Sequence, residues 1–367
     1  MKSKLLKPQT KNSFVTYGLL IVVFAVVQIF ISTGEISSMM KDLLVPLCVY
    51  SILAVSLNLT VGILGELSLG QAGFMCIGAY IGSIISLSLQ DVIVSNWIRF
   101  PIALIAGGLF AALFGVLIGV PVLRLKGDYL AIVTLAFGEI IKNIFAAIYM
   151  GYDSHGLHFS LKSASEMNME PDGKMIINGA LGVTGTPHDS NYIVAFVLLL
   201  ITLIICYNFV DSRCGRAVMA IRDNRIAAES VGINITKYKL ITFALTSFLA
   251  GIAGVLYSHN LSQLQAAKFD YNTSILVLVF VVLGGMGSLR GSVIAAVVLT
   301  LLPEVLRPIS DYRMLIYAII LIVMMIFTSN PITKSYIDKY SGKMKKYTKK
   351  ISAKAFKRRT VKNGEGE

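Results

Sequence analysis

Arg213 to Ser258 reads RCGRAVMAIRDNRIAAESVGINITKYKLITFALTSFLAGIAGVLYS. Its first half is polar and basic; its second half is apolar and rich in small residues. The second half, Leu240–Tyr257, is long enough to enter a bilayer as a helix. Inside the polar half, Asp223 is a suitable N-cap and Gly232 a suitable C′ stop, which leaves about two helical turns between them. That short helix carries Ile226, Ala227 and Val231 as a small apolar patch, with Arg225 and Glu229 at i,i+4. Thr236 can cap the helix that follows. A short polar helix therefore hangs between two hydrophobic elements at a membrane surface. Most such loops are solvated and merely rich in positive charge. The alternative is a docking helix for a cytoplasmic partner.

Composition makes the membrane reading general. Of 367 residues, 55% are hydrophobic and only 14% charged, where soluble domains carry about 25% charged residues. The apolar residues fall in continuous runs of roughly 16–22, the length a helix needs to cross about 30 Å of hydrocarbon. The runs do not alternate, so helices are expected rather than barrel strands. The fold class is thus all-α, a polytopic membrane protein with about ten transmembrane helices. The net charge of +13 lies in the N-terminal arm, the Arg213–Lys239 loop and the tail, so inner-face bias explains it without nucleic acid. Cys48, Cys76 and Cys206 lie in apolar runs and Cys214 just beyond one, so no disulfide framework is expected.

The runs are Phe14–Ile31, Leu43–Val61, Met75–Leu89, Pro101–Leu123, Leu130–Met150, Tyr192–Val210, Leu240–Tyr257, Thr273–Leu283, Ser292–Leu306 and Leu315–Thr328. Lys2, Lys4, Lys7 and Lys11 place an arm, 1–13, on the inner side, and the first run reads as a retained span rather than a signal peptide. Residues 14–330 form the membrane domain. The cation-poor stretch 151–191 is its outer loop. The stretch 211–239, with six Lys/Arg between Arg213 and Lys239, is its inner loop. The tail 331–367 holds twelve Lys/Arg and returns to the inside. Ile337, Tyr340, Met344, Tyr347 and Ile351 recur there at helical steps, as in a basic helix lying on anionic lipid.

Several features stand out against this frame. Glycines at 62, 65, 70 and 73 break the end of the second span, and a similar turn recurs at Gly284–Gly291. Broken backbone at membrane depth is tolerated only inside protein or beside a water-filled cavity. Asn58, Glu66, Ser68 and Gln71 are the polar groups of this segment. They either satisfy the broken helix ends or line a solute path. Ala103, Gly107, Ala111, Gly115 and Gly119 form a ladder of small residues, a groove for a close helix neighbour. Glu139 and Lys142 stand at i,i+3 within an apolar run and are expected to form an intramembrane ion pair, structural first and gating second. Trp97 and Arg99 read as an interfacial anchor and His259 as an interfacial residue. His155, His158 and His188 lack metal-site spacing, and no metal site is expected. No GxxxxGK[ST] is present, so ATP phosphates cannot be cradled here and no bound cofactor is expected.

Four stretches in this order carry a resemblance: SLNLTVGILGELSLGQAGFMCIGAY (56–80), GDYLAIVTLAFGEII (127–141), GRAVMAIRDNRIAAESVGINITKYKLITFALTSFLAGIAGVLY (215–257) and GGMGSLRGSVIAAVVLTLLPEVLR (284–307). With them the chain resembles the LivM-type permeases of branched-chain amino acid ABC transporters, over roughly Leu43 to Thr328. NGALGVTGTP (178–187) looks like that family's outer-loop sequence. Family members often carry Gln where Glu66 stands and His where Gln71 stands. The stretch 151–177 looks like an insertion.

The resemblance implies an ABC importer permease fold in the bacterial plasma membrane, with both termini cytoplasmic. It implies a second related permease subunit, two cytoplasmic ATPase subunits and an extracytoplasmic substrate-binding protein delivering Leu, Ile or Val. It makes Arg216, Ala220, Arg222, Asp223, Asn224, Arg225, Ala227, Ala228, Glu229 and Gly232 the ATPase-coupling residues. The chain itself would be a transport subunit, not an enzyme. Three alternatives remain open. One is the same scaffold carrying another small polar solute such as urea. A second is an ion-driven secondary transporter with Glu139 or Glu66 as a proton carrier. A third is a channel.

Overall fold

The computed structural model describes residues 8–33, 38–90, 95–123, 125, 127–153, 156–163, 167, 173–307 and 312–329. The first seven residues, Arg124, Lys126, His155 and the basic tail 331–367 lie outside them. The chain divides into two compact units, Met1–Leu301 and Leu302–Glu367. In the first, α1 (Pro8–Ser32), α2 (Ser38–Asn58), α3 (Gln71–Ser88), α4 (Asn96–Val122), α5 (Asp128–Ala147) and α6 (Tyr192–Asp211) are followed by two short helices, α7 (Arg213–Asp223) and α8 (Arg225–Ser230). Next come α9 (Ile235–Ser258), α10 (Tyr271–Gly284) and α11 (Leu289–Val305), whose last turn enters the second unit. In that unit α12 (Arg313–Ser329) is a further apolar helix. The ten apolar runs of the sequence fall on ten of these helices, and among the described residues six of the ten are long and apolar enough to cross a membrane. α1, α10 and α12 hold shorter apolar stretches.

The centre of the bundle is α9, packed against α2, α3 and α4. It lies in the groove made by the small-residue ladder of α4. Gly107 faces Val255, Gly115 faces Ser247, Gly119 faces Leu240, and Ala111 meets Gly251. α3 approaches from the other side, so that Gly78 touches the Gly251 backbone and Gly254 touches the Met75 carbonyl. Phe74, Tyr80 and Phe243 fill the remaining space and are fully buried. Backbone contact of this kind depends on the missing Cβ atoms. Gly78→Ala would drive a methyl into the Gly251 carbonyl, and overpacking of a tight core costs about 1–3 kcal/mol. The expected result is a lowered melting temperature of the detergent-solubilised chain. An unchanged one would show that α3 and α9 separate freely.

The fold is mostly helical, and the connection between α5 and α6 also carries short strands that the sequence does not lead one to expect. Strands β1 (Tyr149–Asp153), β2 (Gly156–Ser160), β3 (Lys174–Asn178), β4 (Val183–Thr184) and β5 (Gln263–Leu264) form an antiparallel sheet in the order β2-β1-β3-β4-β5. β5 comes from the α9–α10 connection and pairs Leu264 with Val183, both wholly buried. The strands are two to five residues long, too short for a period-2 pattern to register in the sequence.

His259 also departs from expectation. It is fully buried rather than interfacial, edge-on to Phe100 at 5.1 Å, with Nδ1 2.9 Å from the Val255 carbonyl. Arg99, read as a surface anchor, lies beside it as half of a buried ion pair with Asp189 at 3.0 Å. Trp97 stays 87% exposed, as an anchor in lipid headgroups requires.

Candidate functional site

The site lies where the broken end of α2 meets α7, α8 and the start of α9. α2 widens after Asn58 into a π-helical turn, Leu59–Leu64, and stops at Gly65, which adopts φ +80° and donates its N–H to the Thr60 carbonyl. A side chain at that φ would be strained, so glycine sets the stop. Residues 65–70 are non-helical, and α3 starts at Gln71.

The polar groups of this break find partners from distant parts of the chain. Asn58 is fully buried. Its Nδ2 donates to Ser292 Oγ at 2.7 Å, and its Oδ1 accepts from Gly287 N–H at 2.8 Å. The two similar glycine turns are thereby brought face to face, and a Cβ at Gly62 would strike the Gly287 amide. Gln71 is buried and donates from Nε2 to Ser56 Oγ at 2.7 Å. Ser68 is buried, and the next amide, Leu69 N–H, donates to Thr134 Oγ1 at 3.0 Å. Of the four path candidates, Asn58, Ser68 and Gln71 are thus enclosed within the subunit. Glu66 is the more open one and forms an ion pair with Lys239 of α9. In the sequence Lys239 registers only as loop charge. Its position four residues after Ile235 turns it inward among buried neighbours, which a charge count does not register.

The short helices stand against this break. Ser212 caps α7 by accepting from Gly215 N–H at 3.1 Å. Asn224 caps α8 by accepting from Ala227 N–H, and Asn234 caps α9 by accepting from Lys237 N–H, both at 3.0 Å. From the sequence the caps of α8 and α9 are expected at Asp223 and Thr236. Asp223 instead ends α7, and its Oδ1 accepts from Arg222 Nε and Nη2 at 3.1 and 3.0 Å. α7 is not expected from the sequence, because its buried apolar positions Val218 and Ile221 stand among basic neighbours. Gly232 does take the left-handed conformation that ends α8, with φ +83°.

Arg222 joins the two halves of the site. Its Nη1 donates to the Gly62 carbonyl at 3.1 Å, one of the carbonyls that a helix end leaves without a partner. Its aliphatic stem fills the space beside Gly65. Below it, Ala228 packs with Ile221 and Ile235, flanked by Ala220, Ile233 and Tyr238. Among the described residues nothing covers the opposite side of α8. Ile226 is 81% and Val231 75% exposed, and Arg225, Ala227 and Glu229 are exposed with them. Arg216 is exposed as well and donates to the Asp211 carbonyl at 2.8 Å.

Glu139 and Lys142 lie apart from this junction, on α5, and form an ion pair with each other. Glu139 Oε1 also accepts from Tyr271 N–H at 2.9 Å, the first amide of α10.

Comparison with known proteins places this arrangement. The family model described as "Branched-chain amino acid transport system / permease component" matches residues 39–328. The high-affinity branched-chain amino acid transport system permease protein LivM of Salmonella typhimurium is 35% identical over 315 residues, 81% of this chain and 71% of the relative. LivM of Escherichia coli is 34% identical over the same shares. A ribose import permease protein, RbsC of Haemophilus influenzae, is 24% identical over 85% of this chain and 91% of its own length. No solved structure matches. The relatives are transport permease subunits, not enzymes, and the apolar helices make this chain a multi-pass membrane protein. The chain belongs to the family of permease components of branched-chain amino acid transport systems.

Proposed function

We propose that the chain is the membrane-spanning half of an ATP-driven importer for leucine, isoleucine and valine in the bacterial plasma membrane. Both termini, α7 and α8 lie on the cytoplasmic side. A second, related permease pairs with it, two ATPase subunits bind below, and an extracytoplasmic binding protein delivers the cargo. The observation that carries this reading is α8 itself. Ile226 of α8 and Val231 just after it stand in solvent, while Ala228 braces the helix from behind. An apolar patch on a braced short helix suits a groove in a partner. The chain has no phosphate-binding loop, so the energy must come from that partner.

The mechanical step follows from the contacts. A push on α8 reaches α7, and Arg222 carries it to Gly62 and Gly65. Lys239 carries the movement of α9 to Glu66. The re-entrant segment 65–70 is the element both cations hold, so its displacement opens or closes the path. Glu66 is the side chain placed to meet solute there, with Ser68, Gln71 and Asn58 fixing its backbone. The ribose permease relative makes a sugar the rival cargo.

The test is uptake by the assembled complex in lipid vesicles. ATP-dependent accumulation of labelled leucine, undiminished by excess ribose, is expected. The lone chain should be idle. Uptake by the lone chain on a proton or sodium gradient would overturn the ATP-coupled reading.

A further inference from the structure

A cleft of about 630 Å³ lies between α4 and α6, with Ile252 of α9 behind it. Small-molecule sites span about 300–1,000 Å³, so this one can hold a sizeable ligand. On α6 its lining runs from Asn191 to Leu198. On α4 it runs from Asn96 to Ile105, about 13 Å of helix at about 1.5 Å per residue. That depth is close to half of the roughly 30 Å of hydrocarbon in a bilayer, the share of one leaflet.

The lining is graded from end to end. Leu104, Ile105, Val197, Leu198 and Ile252 make the body apolar. Asn96, His188, Asp189 and Asn191 gather at one end, where α4 and α6 both begin. Ser95 and Asn191 are the N-cap residues of these helices, and neither side chain bonds an amide of its helix. The positive ends of two helices therefore meet at the mouth, an arrangement that favours an anion. Behind the mouth Arg99 is 4% exposed, its Nη2 held by Asn96 and Asp189. Its Nε has no hydrogen-bond partner among the described residues.

The surroundings say from where the occupant comes. Ile105 belongs to the cleft and also to an exposed strip of α4 that continues through Leu109, Leu113 and Leu117. This strip is wholly apolar, as a face against hydrocarbon must be. Ile193 and Val197 of α6 are exposed on the other rim. The cleft thus opens toward lipid tails, with its polar mouth at the level of Trp97, where headgroups lie.

We propose that the cleft holds one phospholipid from the leaflet on the sheet side. One acyl chain lies along Leu104, Val197 and Ile252, and the phosphate sits at the two helix starts beside Asn96, His188 and Asn191. The assignment needs a chain that spans a membrane, and no particular cargo or partner.

Trp97 is the only tryptophan and lines the mouth, so its fluorescence reports occupancy. The full-length chain, purified in detergent, is titrated with phosphatidylglycerol brominated on one acyl chain near the headgroup, which quenches indole on contact. Quenching should saturate at a single lipid per chain. Val194→Phe combined with Val197→Phe, at positions that are not buried, should weaken binding roughly tenfold or more, because the rings take space that buried methylenes would fill. Val197→Phe alone serves if the pair does not fold. Leu113→Phe with Leu117→Phe, on the lipid strip, should change nothing. Asn191→Asp keeps a good N-cap but sets a carboxylate before the phosphate. It should weaken phosphatidylglycerol several-fold and leave brominated diacylglycerol unaffected. Quenching that climbs without saturation, equally in every variant, would mean ordinary solvation by lipid and would overturn the site. Saturable binding of both lipids that Asn191→Asp does not alter would overturn the place given to the phosphate.

Discussion

Ile226→Glu should leave the chain inserted and folded but stripped of its ATPase subunits. Ile226 is 81% exposed on α8 and touches no core residue, so within the chain the change should matter by less than about 0.5 kcal/mol. At a partner surface the balance reverses. Burying an isoleucine side chain is worth about 1.5–3 kcal/mol, and a glutamate there would be a desolvated charge. A loss above about 2 kcal/mol weakens binding by roughly thirtyfold. The measurement is co-purification of the ATPases with tagged permease, alongside membrane yield. Ala227→Arg, on the same exposed side, should act in the same way. Ala228→Arg would not serve, because Ala228 is in the core beneath α8 and its replacement would disturb folding. Full recovery of the ATPases with the glutamate variant would remove α8 as the docking element.

The second large effect concerns Lys239. It is almost wholly buried, and Glu66 is its ionic partner. The second carboxylate oxygen of Glu66, Oε2, is buried with no hydrogen-bond partner among the described residues, so Lys239 carries most of the compensation for that charge. Lys239→Met should strand the carboxylate, at a cost of about 3–5 kcal/mol for breaking a buried pair from one side. The double variant Lys239→Met, Glu66→Gln removes both charges and should recover most of that stability. Thermal unfolding of the solubilised complex reads both. A single variant as stable as the parent would mean that the pair does not hold the re-entrant segment. If the pair transmits motion, the double variant should be stable yet slow in uptake, since a neutral contact no longer ties α9 to residues 65–70.

What could be read from the chain beforehand divides along a physical line. The apolar runs, the groove of α4 and the left-handed stop at Gly232 depend on composition or on neighbours three and four residues away, and these are visible in a string of letters. The break after Asn58 was visible too, through its glycines. The partners of that break were not. Asn58 meets Gly287 and Ser292, and Gly62 meets Arg222, across separations of about 160 residues or more, and no local period encodes such meetings. Caps failed for a subtler reason. Asp223 and Asn224 are both good capping residues, and only the bond of Asp223 to Arg222 settles which of them caps α8. His259 was misplaced because its position at a helix end suggested water, whereas the Phe100 ring and the Arg99–Asp189 pair close over it.

The small sheet has a mechanical meaning. β1 begins two residues beyond α5, β4 lies shortly before α6, and β5 follows α9 and precedes α10. Ladder bonds between β4 and β5 therefore rivet the connections of four helices into one plate. Those helix ends cannot spread singly like fingers. On the proposed importer reading, a movement started at α8 would reach this end of the helices as a common tilt, so this end would rock as a hinged lid instead of dilating as an iris.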